Sequence, residues 1–146
     1  MIKDEKLLEL VQERIPEVED VRQYMLMTPN PITVITINKS RSVSALFELL
    51  NDLKKYLRIV AFVDVKNNNI DNPYMLTWRI VNNLDAQRDL AIFGDLVYID
   101  GTNKNAIDGF ERRWPDDVTC TREVISQLKA KGLWDLAPEL EAGYEL

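Results

Sequence analysis

The sequence predicts a single three-layer α/β domain built on a mainly parallel sheet of about four strands. Three observations predict it. Short β-branched and aliphatic runs alternate with stretches whose apolar residues recur every three or four positions, the β-α-β-α-β order of parallel sheets with right-handed crossovers. One run, residues 58–65 (RIVAFVDV), is apolar without alternation, as a strand buried on both faces must be. And 146 residues, 46% apolar and 29% charged, are the size and composition of one globular domain with one core.

Residues 3–17 place Leu7, Leu8, Val11 and Ile15 at helical spacing and stop at Pro16, which predicts a short amphipathic helix. Residues 18–27 (VEDVRQYMLM) alternate imperfectly and are read as a strand, followed by turn chemistry at Asn30-Pro31. Residues 32–37 (ITVITI) are β-branched throughout and predict a strand. In residues 42–57, Val43, Leu46, Phe47, Leu50, Leu53 and Leu57 form one helical stripe. After residues 58–65 comes a loop with three consecutive asparagines. A helix opening at Pro73 then carries Tyr74, Trp78 and Val81. Residues 89–94 (DLAIFG) and 96–100 (LVYID) are further strands. Residues 101–120 look irregular, punctuated by Gly101, Gly109 and Pro115. Thr121 caps a last helix through Val124, Ile125 and Leu128, closed by Gly132 as a left-handed residue. From Trp134 to Leu146 apolar residues occur without a period.

Composition narrows the chemistry. The chain has no histidine and one cysteine, Cys120, which removes Ser-His-Asp and Cys-His catalysis, His-based zinc sites and thiolate clusters. A lone cysteine forms no disulfide within the chain and suits a reducing compartment. The net charge of −6 argues against nucleic acid as a partner, since phosphate neutralisation needs clustered Lys and Arg. No secretory apolar core stands near Met1 and no stretch is long enough to span a bilayer, so the predicted location is cytoplasmic, with no integral membrane segment.

Three candidate regions follow. In the asparagine loop, Asp71 or Asn72 is placed to cap the helix, with Pro73 at its first position. No glycine lies between Asp64 and Pro73 to let a phosphate approach the backbone. Asp64 and Asp100 end two strands and are expected to anchor loops; the alternative is a phosphorylated or metal-binding strand-end acid. Residues 99–115 are the densest polar stretch. There Lys104, Asp108, Glu111, Arg112 and Arg113 could form an anion-binding or acid/base cluster, or Arg112, Arg113 and Trp114 a protein contact. Leu133 and Trp134, outside the helical stripes, are further candidates for that contact.

The order VAFVDVKNNNIDNPYMLTWRIVNNLDAQRDLAI, VYIDGTNK, GFERRWP resembles the C-terminal part of the UbiD-type decarboxylases. Val63-Asp64 matches the strand end of that pattern and Leu76 to Trp78 its helix core. Ile99-Asp100-Gly101-Thr102 and Arg113-Trp114-Pro115 match its last two segments. The likeness runs over about residues 16–136. Lys66 and the asparagines replace an acidic turn, and Asn82-Asn83 an arginine, as in a divergent branch similar to enzymes proposed for naphthoate decarboxylation in menaquinone synthesis.

The resemblance implies a three-layer C-terminal domain, residues 1–146, without the catalytic split barrel. It implies that the full-length enzyme uses prenylated FMN, a divalent metal and potassium to decarboxylate an aromatic acid of hydroxybenzoate or naphthoate type, a ubiquinone or menaquinone precursor. No catalytic, cofactor or metal residue is carried over to this chain. What it does imply is a homo-oligomer contact and a lid over a catalytic region, leaving the isolated chain inactive. Two alternatives stay open: a flavodoxin- or receiver-like domain using Asp64 and Asp100, and a separate subunit associating with catalytic chains.

Overall fold

The computed structural model describes residues 2–117 and 120–134. The chain begins with helix α1 (Asp4–Gln12), shorter than the stretch up to Pro16, and passes into strands β1 (Val18–Tyr24) and β2 (Ile32–Ile37). A 3-10 segment, Val43–Leu53, leads to β3 (Ile59–Asp64). Helix α2 (Pro73–Asn83), strands β4 (Leu90–Phe93) and β5 (Leu96–Asp100), a 3-10 turn (Ala106–Asp108) and helix α3 (Arg122–Ala130) follow.

The sheet corrects the expectation of a mainly parallel sheet of about four strands. It has five, in the order β1-β2-β3-β5-β4, and it is mixed. β2, β3 and β5 run parallel, while β1 pairs antiparallel with β2 and β4 antiparallel with β5. The cause at one edge is local. Phe93 pairs with Leu96, leaving Gly94-Asp95 as a two-residue hairpin, and Gly94 takes the positive φ of 63° that such a turn demands. Because β4 runs against β3 and β5, α2 returns the chain to the end of the sheet where β3 left it. Only the Val43–Leu53 segment crosses between adjacent parallel strands.

That segment is the second correction. Residues 42–57 predict one α-helix, whereas residues 43–53 wind as successive 3-10 turns, beginning with the Ala45 N–H donating to the Ser42 carbonyl at 3.1 Å. Three-residue steps (Val43 to Leu46, Phe47 to Leu50 to Leu53) keep the same face inward in the tighter winding, so the apolar stripe survives.

The layers follow from strand alternation. On one face Ile35, Ile37, Val60, Phe62 and Tyr98 meet Leu7 and Val11 of α1 and Leu46, Phe47 and Leu50 of the 3-10 segment, all at most 3% exposed. Phe47 stacks on Tyr98 at 5.1 Å between ring centroids. Burial, and secondarily the Asp52 charge, pushes the Tyr98 hydroxyl up to about 12, and it donates to Asn51 Oδ1 at 3.1 Å. On the other face Val34 and Val63 pack against Ile70 and against Leu76 of α2, with Tyr24, Ile32 and Ile80 around them. α3 buries no residue. Thr121 Oγ1 accepts the Val124 N–H that starts it, and Gly132 closes it at φ 65°.

Candidate functional site

The three parallel strands end together, and the segments leaving them line a cleft of about 1040 Å³. Asn38 follows β2, Asp64 and Lys66 leave β3, Asn103 and Asn105 follow β5, and residues 110–117 form the far wall. In open α/β sheets this edge is where ligands bind.

The floor is built by residues 100–104. Gly101 is required for close approach: a Cβ there would lie 2.9 Å from Ile80 Cγ1 and 3.0 Å from the Phe62 carbonyl oxygen. Asp100, 3% exposed, accepts from the Thr102 N–H (3.0 Å) and hydroxyl (2.6 Å) through Oδ1. Lys104, with a side chain 1% exposed, turns back beneath the segment. Its Nζ donates to the Asp100 carbonyl (3.0 Å) and the Thr102 carbonyl (2.7 Å), and lies 3.3 Å from Asp100 Oδ2 and 3.6 Å from Asp89 Oδ1. Burial alone would raise the Asp89 carboxyl. The Arg88 guanidinium, the Asp85 N–H and Lys104 together outweigh it and hold Asp89 below the usual range.

A second buried lysine ties the floor to β2. Lys39 Nζ donates to Asp108 Oδ2 (2.6 Å), the Asn103 carbonyl (2.7 Å) and Thr102 Oγ1 (2.9 Å). Two lysines thus grip residues 100–108, Lys39 through three hydrogen bonds and Lys104 through two beside the Asp100 and Asp89 carboxylates, as buried ammonium groups require.

Asp64 stands at the cleft itself. Its Oδ2 accepts the Asn103 N–H at 2.7 Å, yet burial dominates and pushes its carboxyl above the usual range. The asparagine loop folds around it. Asn67 takes a left-handed φ of 63°, and Asn68 Nδ2 donates to the Asp64 carbonyl at 2.8 Å. Asn69 Oδ1 accepts the Asp71 N–H at 2.9 Å, and Asn72 Oδ1 accepts the Met75 N–H at 3.2 Å, capping α2. The Asp71 carboxylate meets Arg22 of β1 at 2.7 Å, in the open.

The far wall is fastened from below. Arg79, buried on α2, forms a two-pronged bond with Asp117, Nη2 to Oδ2 at 2.8 Å and Nη1 to Oδ1, and its Nε reaches Asn68 Oδ1 at 3.3 Å. That guanidinium holds the Asp117 carboxyl below the usual range. Trp114, half-buried, packs edge-to-face on Phe110 at 5.2 Å, while Arg112 is exposed and Arg113 makes an exposed pair with Asp116 at 2.5 Å.

The structure therefore brings Asp64, Arg112, Arg113 and Trp114 to one cleft, and keeps Asp100 beneath it with its oxygens engaged. Leu133, 70% exposed, and Trp134 follow α3 and do not line the cleft. The polar stretch 99–115 is not one acid/base cluster. Lys104 and Asp108 are engaged by Asp100 and Lys39, while Glu111, Arg112 and Arg113 stay exposed.

Sequence reasoning missed Lys39, Arg79, Asp89 and Asp117. For Arg79 a signal existed: it shares the inward stripe of α2 with Leu76 and Asn83, where a charge needs a partner. Among the described residues, no group of three or more Cys, Asp or Glu side chains is placed to hold a metal ion. No helix of the described residues is long and apolar enough to cross a membrane.

Residues 1–109 match the family model of the 3-octaprenyl-4-hydroxybenzoate carboxy-lyase C-terminal domain. The match takes in Asp64, α2 and the Asp100-Gly101-Thr102 floor, and stops before Trp114. Two uncharacterized proteins of Helicobacter pylori, from strains 26695 and J99, are each 43% identical over 134 residues, 91% of this chain but 22% of theirs. The chain thus spans about a fifth of the length of the curated relatives it matches.

Among solved structures, an evolved dimeric form of the UbiD-class enzyme HmfF from Pelotomaculum thermopropionicum, in complex with prFMN, is similar with a TM-score of 0.57. It is 24% identical, over 73% of this chain and 25% of that one. The vanillic acid decarboxylase of Sedimentibacter hydroxybenzoicus gives a TM-score of 0.60 at 18% identity, over 88% of this chain and 32% of that one. At these identities the likeness is one of fold.

Proposed function

The chain belongs to the 3-octaprenyl-4-hydroxybenzoate carboxy-lyase C-terminal domain family, and we propose that it is the oligomerisation and lid domain of a UbiD-like carboxy-lyase whose chemistry resides on other polypeptide. The observation that carries this reading is the match of residues 1–109 to a domain model, in a chain spanning 22% of its relatives. Among the described residues the strand-end cleft has no group of three or more Cys, Asp or Glu placed for a divalent metal and no glycine in its lining, so its residues do not fit that metal or a phosphate held on the backbone.

On this reading the longer enzyme is cytoplasmic and removes CO₂ from an aromatic acid of hydroxybenzoate or naphthoate type, a quinone precursor. This domain supplies the homo-oligomer contact and covers the catalytic region, with Trp114, Arg113 and Arg112 of the outer wall, and Leu133 and Trp134 after α3, as contact residues. Asp64, Asp71, Asn72 and Asp100 anchor the loops behind that surface.

The test is a solution mass combined with a flavin absorbance spectrum and an aromatic-acid turnover assay on the purified chain. The expected result is a multimer with no flavin band and no turnover. Decarboxylation by this chain alone overturns the reading, and so does a strict monomer.

A further inference from the structure

We propose that the strand-end cleft binds a ligand of its own, a small organic anion with a flat apolar part. The inference goes beyond the family reading and shares Arg112 and Trp114 with the contact surface proposed there.

First, the site is preorganised. The far wall is pinned at both ends, by Lys39 on Asp108 and by Arg79 on Asp117, three of these four side chains being at most 5% exposed and Asp117 20%. A ligand meeting walls already in place spends little of its binding energy on ordering them.

Second, donors predominate over acceptors. Asn103 Oδ1 accepts from the Asn83 amide and Asn105 Oδ1 from the Ile107 N–H, while the N–H₂ groups of both cleft-lining asparagines have no acceptor among the described residues. Lys66 and Arg112 line the cleft with no side-chain partner among the described residues. The acids are mostly answered: Asp116 by Arg113, Asp117 by Arg79, and Asp64 by the Asn103 N–H and a carboxyl that keeps its proton more readily than usual. Glu111 is the exception, and it is exposed. Amide and cationic donors that outnumber the unanswered carboxylates favour oxygen-rich anions.

Third, the wall of Phe110 and Trp114 gives a planar body an aromatic surface beside those donors. The cleft, at about 1040 Å³, is slightly larger than the roughly 300–1,000 Å³ of small-molecule sites, so it has room for such a ligand.

The probe is anilinonaphthalene sulfonate, a flat anion, titrated into the isotopically labelled full chain and followed by amide and indole NMR shifts. Inorganic phosphate is run in parallel. Saturable shifts are expected at the Asn103 and Asn105 side-chain amides and the Trp114 indole. The double variant Lys66→Ala, Arg112→Ala alters only exposed side chains, so it folds, and it should weaken binding at least about tenfold, or about 1.4 kcal/mol. Trp78→Ala, on the exposed apolar face of α2, should leave binding unchanged. Shifts centred on Trp78 and Val81, undiminished affinity in the double variant, or no saturable response to the dye overturns the site. Phosphate binding as tightly as the dye overturns the apolar half of the assignment.

Discussion

Lys39 and Asp108 stand 69 residues apart in sequence, yet Nζ and Oδ2 meet at 2.6 Å with both side chains at most 5% exposed. Asp108 Oδ1 is buried with no hydrogen-bond partner among the described residues, so within them the carboxylate depends on this one cation and the Asn105 N–H. Removing one member of such a pair strands the other in a poor solvent. Lys39→Met should cost about 3–5 kcal/mol in urea unfolding, and the double replacement Lys39→Met, Asp108→Leu distinctly less, because no charge is then left behind. A single variant as stable as the parent would show that water reaches the pair.

Arg79 and Asp117 give the acid limb of stability. The folded carboxyl of Asp117 lies below its unfolded value, so its contribution is complete above the usual carboxylate range and is lost as pH falls through the folded value. Asp117→Asn should therefore cost about 1–3 kcal/mol at neutral pH. The gap to the parent should close on acidification. Denaturant titrations over that pH range, with acrylamide quenching of Trp114 in a background of Trp78→Phe and Trp134→Phe, report both stability and release of the wall.

Asp64 behaves with the opposite sign. Its folded carboxyl lies above the unfolded value because burial penalises the charged form, so ionisation weakens the fold as pH rises through that value. Asp64→Asn keeps an oxygen for the Asn103 N–H and removes the penalty. The variant should match or exceed the parent at neutral pH, with the advantage vanishing in acid. Destabilisation by Asp64→Asn at neutral pH would mean the charge itself is needed at the cleft.

Gly101 is held to its size. Its missing Cβ is the space occupied by Ile80 and by the Phe62 carbonyl, and a backbone oxygen cannot swing away as a side-chain tip can. Gly101→Ala should cost about 1–3 kcal/mol as overpacking. Adding Ile80→Ala should recover only part of it, since the Phe62 contact stays. Full recovery in chemical denaturation would put the whole strain on the side chain.

How much of this could be read beforehand depends on the range of the interactions. Strands β2 and β3 announced themselves because residues 32–37 are β-branched throughout and residues 58–65 are apolar without alternation, purely local properties. The stripe Val43, Leu46, Phe47, Leu50 and Leu53 was legible as well, but its 3-10 winding was not, since steps of three and four residues put the same side chains inward. The direction of β4 was written at Gly94-Asp95, between two apolar runs, yet without pairing information the runs look like successive strands of a parallel sheet. Asn72 as a cap needs only its neighbour Met75. The bonds that make the cleft join β2 to the 106–108 turn and α2 to residue 117, and no local pattern encodes a partner 38 or 69 residues away.

Trp114 connects the cleft to assembly. It is half-buried on Phe110 at the rim, beside exposed Arg112 and Arg113, and a large ring flanked by guanidinium groups is the composition of an interface anchor. If the outer wall makes the proposed homo-oligomer contact, Trp114→Ala should weaken association by about 2 kcal/mol or more, read by sedimentation as a raised dissociation constant. Phe110→Leu, which removes the ring beneath but keeps an apolar support, should weaken it less. Trp114 belongs to neither packed core, so monomer stability should fall by less than association does. An unchanged dissociation constant in Trp114→Ala would move the contact elsewhere, with Leu133 and Trp134 the next residues to replace.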